Sequence, residues 1–201
     1  MNYKVTICLL YESCFDIEKD YFRNGFPPEI YETIMCIQGA YFLSHKIRKN
    51  TQVFLGFLAN NLVIHYVGTK LRYLGPDERS IGMLLMKALE KREVLVGNRR
   101  IQSSPGIYIQ KKKIQDLILE LGQKDQIFMA DKNSIVELDN IQGQHLILLI
   151  PNTKKWDFFS KNFLSKLNIF KFGTNDLPEK MRDFLTILKF YSIFDNLLSV
   201  L

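Results

Sequence analysis

Adjacent carboxylates at Asp77 and Glu78 are the residues of this chain best suited by type to acid–base chemistry. Two neighbouring acids can divide the proton-donating and proton-accepting roles of a reaction. They belong to the stretch 76-PDERS-80, directly ahead of an apolar run. Acids at that place also complement the positive end of a helix dipole, and Pro76 suits a first helical turn. On sequence alone both readings stay open. Ser104 stands before Pro105 and Gly106, but no His and acid are placed to activate it, so a turn is the plainer reading. Asp131 follows an apolar stretch read as a strand, at the end where open parallel sheets bind ligands.

Other chemistries are excluded by what the spacing lacks. Cys8, Cys14 and Cys36 form no CxxC pair, and His45, His65 and His145 form no metal-binding array. No metal site is expected, and the odd thiol count fits a reducing compartment, hence the cytoplasm. The chain has no GxGxxG, no GxxxxGK[ST] and no GxSxG, so neither a dinucleotide fold, a P-loop nor a hydrolase elbow is signalled.

The elements that must position these residues follow from hydrophobic patterning. Strands are expected at 3–10, 51–58, 62–67, 107–109, 126–130, 145–150 and 169–172, several of them continuous apolar runs. Helices are expected from Glu29 to Ile47, from the PDERS block through Leu89, over 114–122, near Trp156–Leu167, and from about Glu179 to Leu198. Residues 11–28 and 97–106 read as connections. Strands alternating with helices predict an α/β fold, a mostly parallel sheet with helices on both faces. A single domain over residues 1–201 is expected from the length.

The 201 residues carry 27 Lys and Arg against 21 Asp and Glu, a net charge of +6, with 47% apolar residues. That balance belongs to a folded protein rather than a disordered tail. No apolar run approaches the roughly 18 residues of a membrane span. The cations gather at Lys46, Arg48 and Lys49, at Lys91 and Arg92, at Arg99 and Arg100, at Lys111–Lys113 and at Lys154 and Lys155. Clusters of that kind can face a phosphate backbone or be a solvated surface.

Two stretches narrow these alternatives. Residues 68-GTKLRYLGPDERSIGMLLMKAL-89 and 104-SPGIYI-109, with 40-AYFLSHKIR-48 upstream, resemble the archaeal tRNA pseudouridine N1-methyltransferases, the TrmY family of the SPOUT superfamily. The resemblance is good over about residues 29–145 and looser beyond. It implies a SPOUT-type sheet with a C-terminal trefoil knot in about residues 126–201, a homodimer, S-adenosyl-L-methionine as cofactor, and N1-methylation of a pseudouridine in the tRNA T-loop. By family position it places the cofactor at loops beginning near Met129, Leu149 and Phe172-Gly173. It makes Asp77 and Glu78 the candidate catalytic acids. Arg79, Lys46, Arg48, Lys49, Arg99 and Arg100 become candidate contacts to substrate RNA.

The chain also departs from the family pattern. Leu149-Ile150-Pro151-Asn152 stands where relatives carry Gly-Asp-His, and Lys171-Phe172-Gly173-Thr174-Asn175-Asp176 replaces a Ser-Leu-Gly type of loop. The first helix begins 29-EIYETIMC-36, without the family's Arg. Three functions therefore stand side by side: an active RNA methyltransferase, a catalytically degenerate homologue that binds RNA or serves as a dimer partner, and a methyltransferase with a shifted substrate. A cleft plugged by Phe172, Trp156 or Pro151 would favour the second.

Overall fold

The computed structural model describes residues 4–43, 46–123, 125–134, 145–152, 163 and 166–200. Eight strands form one sheet: β1 (Lys4–Tyr11), β4 (Thr51–Phe57), β5 (Leu62–Val67), β6 (Ile101–Ser104), β7 (Ile107–Lys111), β8 (Gln126–Asp131), β9 (His145–Asn152) and β10 (Ile169–Gly173). Two short strands, β2 (Phe42–Leu43) and β3 (Lys46–Ile47), pair separately. The helices are α1 (Tyr21–Asn24), α2 (Pro28–Tyr41), α3 (Glu78–Glu90), α4 (Ile114–Gly122) and α5 (Arg182–Val200).

The strand order is β10-β8-β9-β1-β4-β5-β7-β6. From β10 through β4 every pairing is parallel. From β4 to β6 every pairing is antiparallel. The central strands are buried on both faces, which is why they read as uninterrupted apolar runs. Alternation along them divides the core into two layers. Val5, Ile7, Leu9 and Tyr11 of β1, with Leu146, Leu148 and Ile150 of β9, pack beneath α2, α3 and α5. Cys8 and Leu10, with Ile147 and Leu149, pack against Ile114, Leu117 and Ile118 of α4 on the opposite face. Helices thus cover both faces of a mostly parallel sheet, as the patterning predicts.

Four boundaries differ from expectation. The segment 97–106 is not all loop, because Ile101–Ser104 adds an edge strand. Its polar composition hides it, as edge strands with few apolar residues do. Helix α2 ends at Tyr41 rather than Ile47. Phe42 turns extended, and the Tyr41 carbonyl accepts the Arg48 N–H at 2.7 Å, starting the β2–β3 hairpin. The connection 11–28 contains the single turn α1. Helix α5 starts at Arg182, several residues after Pro178. The helix expected near Trp156–Leu167 lies almost wholly outside the described residues, as do the connections 135–144 and 153–162 on which any threading would depend.

Candidate active site

A cleft of about 1190 Å³ opens at the carboxyl ends of the parallel strands. Each wall comes from a strand end or from a helix start above it. Glu12 and Ser13 follow β1, and Met129 to Asn133 close β8. Ile150, Pro151 and Asn152 end β9, and Thr174 follows β10. Pro28, Glu29 and Glu32 come from the start of α2, with Glu179, Arg182, Asp183 and Thr186 from the approach and first turns of α5. This is where open parallel sheets bind small molecules, because successive loops leave there with free backbone groups.

The expected cofactor loops therefore meet, although not through every residue named for them. Met129 lines the cleft. Leu149 points into the α4 layer and Phe172 into the α2–α5 layer, both buried. The residues that follow each of them, 150–152 and Thr174, supply the wall. Gly173 is held from behind: its carbonyl accepts the Lys189 ammonium at 3.0 Å, and Lys189 also reaches Asp176 at 2.5 Å. That ion pair holds the Asp176 carboxyl below its ordinary value. Phe172 packs against Phe190 within the core and does not plug the cleft. Trp156 lies outside the described residues. Pro151 is half-buried on the wall and leaves the space open.

Asp131 acts as a clip between loops. Its carboxylate accepts the Asn133 N–H and the Ser134 hydroxyl, each at 2.8 Å, and pairs with Lys171 at 3.2 Å. Its own carbonyl accepts the Thr174 N–H at 3.0 Å, joining the ends of β8 and β10. The Asn133 amide first, then Ser134 and Lys171, hold the Asp131 carboxyl below its ordinary value against some desolvation. Asp183 shows the reverse: burial first, then the neighbouring Glu32 carboxylate, pushes it up to about 7, with Arg182 opposing.

The cleft is acidic, with six carboxylates on its wall against Lys132 and Arg182. One buried donor there has no partner among the described residues, the Arg182 Nε–H.

The acids expected from the sequence lie elsewhere. Asp77 is the N-cap of α3, its carboxylate accepting the Ser80 N–H at 2.8 Å. Ser80 in turn accepts the Gly75 N–H at 2.9 Å. Glu78 is exposed in the first turn of α3. Arg79 donates to the Phe22 carbonyl at 2.9 Å. None of the three lines the cleft. The PDERS block caps α3 and docks it, since Gln38 of α2 also donates to the Pro76 carbonyl at 2.7 Å. The SPG turn is structural in the same way. Gly106 has φ +83°, and a Cβ there would lie 2.5 Å from the Leu71 nitrogen, so only glycine fits without strain.

The cationic candidates divide by engagement. Arg48 is mostly buried: it stacks on Tyr191 with 3.7 Å from Cζ to the ring centre, and donates to the Gly39 carbonyl at 3.2 Å. Lys49 reaches the Leu71 carbonyl at 3.4 Å. Arg100 lies 3.8 Å over the Tyr108 ring, with its guanidinium 2.9 Å from His65 Nδ1. Lys46 and Arg99 are exposed. Among the described residues no group of three or more His, Cys, Asp or Glu is placed to hold a metal ion. Among the described residues no helix is long and apolar enough to cross a membrane.

Comparison with known proteins bears on the family and the fold. Residues 33–146 match the profile of a family described as "Putative SAM-dependent RNA methyltransferase". The chain belongs to this family. A tRNA (pseudouridine(54)-N(1))-methyltransferase of Methanococcus aeolicus is 40% identical over 163 residues, 76% of this chain and 78% of the relative. One of the same name from Haloferax volcanii is 41% identical over 115 residues, 56% of this chain and 58% of that protein. With the Haloarcula marismortui and Natronomonas pharaonis relatives the match spans 46% and 53% of their lengths, so the chain covers only about half of several relatives. Among solved structures, Archaeoglobus fulgidus Nep1 bound to S-adenosylhomocysteine superposes with a TM-score of 0.60 over 98% of this chain and 99% of that one. At 12% identity that likeness shows the fold alone.

Sequence reasoning missed Glu32, Arg182, Asp183 and Thr174. Each belongs to an ordinary-looking helix start or loop. Glu32 and Asp183 meet across a separation of 151 residues, which no local pattern can display.

Proposed function

We propose that the chain is an S-adenosyl-L-methionine-dependent RNA methyltransferase that methylates N1 of a pseudouridine in the T-loop of tRNA, working in the cytoplasm as a homodimer. The observation that carries this reading is the open cleft at the carboxyl ends of β1, β8, β9 and β10, where the family resemblance leads one to expect the cofactor. The cleft, of about 1190 Å³ and open to solvent, is large enough for a small-molecule donor. In the same reading residues 1–201 are one SPOUT-type domain, and the chain beyond about residue 126 forms the knot.

The residues present fit the cofactor. A sulfonium methyl group, when bound, supplies the electrophilic carbon. The wall carboxylates complement the net positive charge of such a donor, and Lys132 and Arg182 are the wall cations that suit its carboxylate. Backbone groups of 150–152 and 130–133 line the remaining wall. Holding donor and acceptor in line supplies much of the rate by proximity.

Calorimetric titration with S-adenosylhomocysteine, followed by mass spectrometry of tRNA incubated with protein and donor, tests this reading. Binding together with a 14-Da gain on a pseudouridine, the mass of one added methylene, supports it. No heat at high micromolar ligand would sink it in favour of the degenerate homologue.

A further inference from the structure

The methyl acceptor carries a proton on N1 that must leave as the new N–C bond forms, so the cleft needs a group to receive it. The acids expected for that task from sequence, Asp77 and Glu78, are committed to the start of α3 outside the cleft. Of the carboxylates on the wall, Asp131 is tied by Asn133, Ser134 and Lys171 and is held in its charged, weakly basic form.

Asp183 is placed differently. It stands in the first turn of α5, half-buried on the cleft wall, and its backbone N–H donates to Glu32 Oε1 at 3.1 Å. The Glu32 carboxylate is thereby fixed against α5, beside Asp183. The groups facing the pair are few. Glu32 and Cys36 come from α2, Tyr11 from β1, and Arg182 from α5 itself. Burial pushes the Cys36 thiol and the Tyr11 phenol well above their ordinary values, so both stay neutral. Glu32 then raises the proton affinity of Asp183, and Arg182 restrains it.

We propose that the Asp183 carboxylate, held beside Glu32 in the cleft, receives the N1 proton of the substrate base. This rests on the methyltransferase reading above. The N1–H bond breaks and its proton passes to Asp183 Oδ. The nitrogen electron pair bonds the incoming methyl carbon, and the pair of the broken C–S bond stays on sulfur. Glu32 is a positioning residue: it anchors the α5 turn and adds to the basicity that burial gives its neighbour. A carboxyl pushed up to about 7 is matched to this task near neutral pH, where it is both partly ionised and basic enough to take a proton.

The test combines a carboxyl ¹³C NMR titration of the free protein, the pH–rate profile of methyl transfer and calorimetry with S-adenosylhomocysteine. In the wild type, one carboxyl should titrate near 7 and the rate should rise with pH through the same midpoint. Asp183→Asn should remove that resonance and lower the rate by about 10²–10⁴-fold, with cofactor affinity retained. Glu32→Gln keeps an oxygen for the Asp183 N–H but removes the charge, so the NMR and kinetic midpoints should fall together. An Asp183→Asn protein that transfers methyl at the wild-type rate overturns the proposal. So does a Glu32→Gln protein whose NMR midpoint moves while its kinetic midpoint stays. A wild-type protein that shows the NMR titration but binds no cofactor overturns the methyltransferase reading itself, and the proton-acceptor role falls with it.

Discussion

The guanidinium of Arg100 lies 2.9 Å from Nδ1 of His65 and can only donate there, so it fixes His65 as the tautomer with its proton on Nε2. The next two bonds then have one possible direction. His65 Nε2 donates to Gln52 Oε1 at 3.0 Å, and Gln52 Nε2 donates to Thr6 Oγ1 at 2.7 Å. Thr6 Oγ1 also lies 2.6 Å from His145 Nε2, and the Asp125 carboxylate accepts from His145 Nδ1 at 2.8 Å. This chain of bonds crosses β5, β4, β1 and β9 at the end of the parallel strands remote from the cleft. Thr6, His145 and Asp125 have the order of a nucleophile triad, but Thr6 is fully buried, so the arrangement is a brace.

The brace predicts that His65 stays neutral across physiological pH. Burial first, then Arg100, Lys112 and Lys70, pulls it down to about 3. Its ring proton resonances should not titrate between pH 5 and 8, and Arg100→Gln should move the midpoint upward. Thr6→Val should destabilise the fold by about 1–3 kcal/mol in urea, because it strands both Gln52 and His145. A smaller loss would mean that water replaces the hydroxyl.

Asp183 and His65 impose opposite pH slopes on stability. A carboxyl raised to about 7 in the folded state binds its proton more tightly there than in the unfolded chain. Its contribution is complete below the unfolded value and is lost as pH rises toward 7. His65, depressed to about 3, contributes above its unfolded value and loses that contribution as pH falls toward 3. Asp183→Asn should therefore raise the unfolding midpoint at pH 8 relative to wild type, and make stability climb more steeply between pH 4 and 6.5. An unchanged difference between the two proteins across that window would show that Asp183 titrates normally.

Asp77 separates a cap from a catalytic acid. Asp77→Ala removes the bond to the Ser80 N–H and should cost about 0.5–2 kcal/mol of stability. Methyl transfer to tRNA at a temperature where both proteins are folded should be unchanged in kcat. A loss in kcat without a loss in stability would return Asp77 to the reaction.

What the sequence displays and what it conceals both follow from the range of the forces involved. The strand Lys4–Tyr11 is legible because burial on both faces demands consecutive apolar residues. Ile101–Ser104 is not, because only Ile101 of its four residues is apolar and packs against the core. The strand ends that line the cleft are legible to within one or two positions, yet the alternation that puts Leu149 and Phe172 in opposite core layers hands the cleft wall to their neighbours. The pairing of Glu32 with Asp183 is tertiary, and only the docking of α5 on α2 creates it.

The basic surface offers the last prediction, and the structure sorts its members beforehand. A phosphate contact contributes to affinity through released counterions, so each one lost should lower the salt slope of tRNA binding by roughly one unit. Arg48 is held by Tyr191 and the Gly39 carbonyl, and it lies 3.6 Å from Asp195. Arg48→Ala should therefore reduce stability by about 1–2 kcal/mol through the lost stacking and hydrogen bond, with little change in the salt slope. Lys46 and Arg99 are exposed, and their replacement by Ala should flatten the slope without moving the unfolding midpoint. Measuring tRNA affinity at several salt concentrations for all three variants distinguishes the two roles. A steep slope unaltered by Lys46→Ala and Arg99→Ala would move the RNA-binding face elsewhere on the molecule, because the charge of a bound polyanion must be met by cations that are free to reach it.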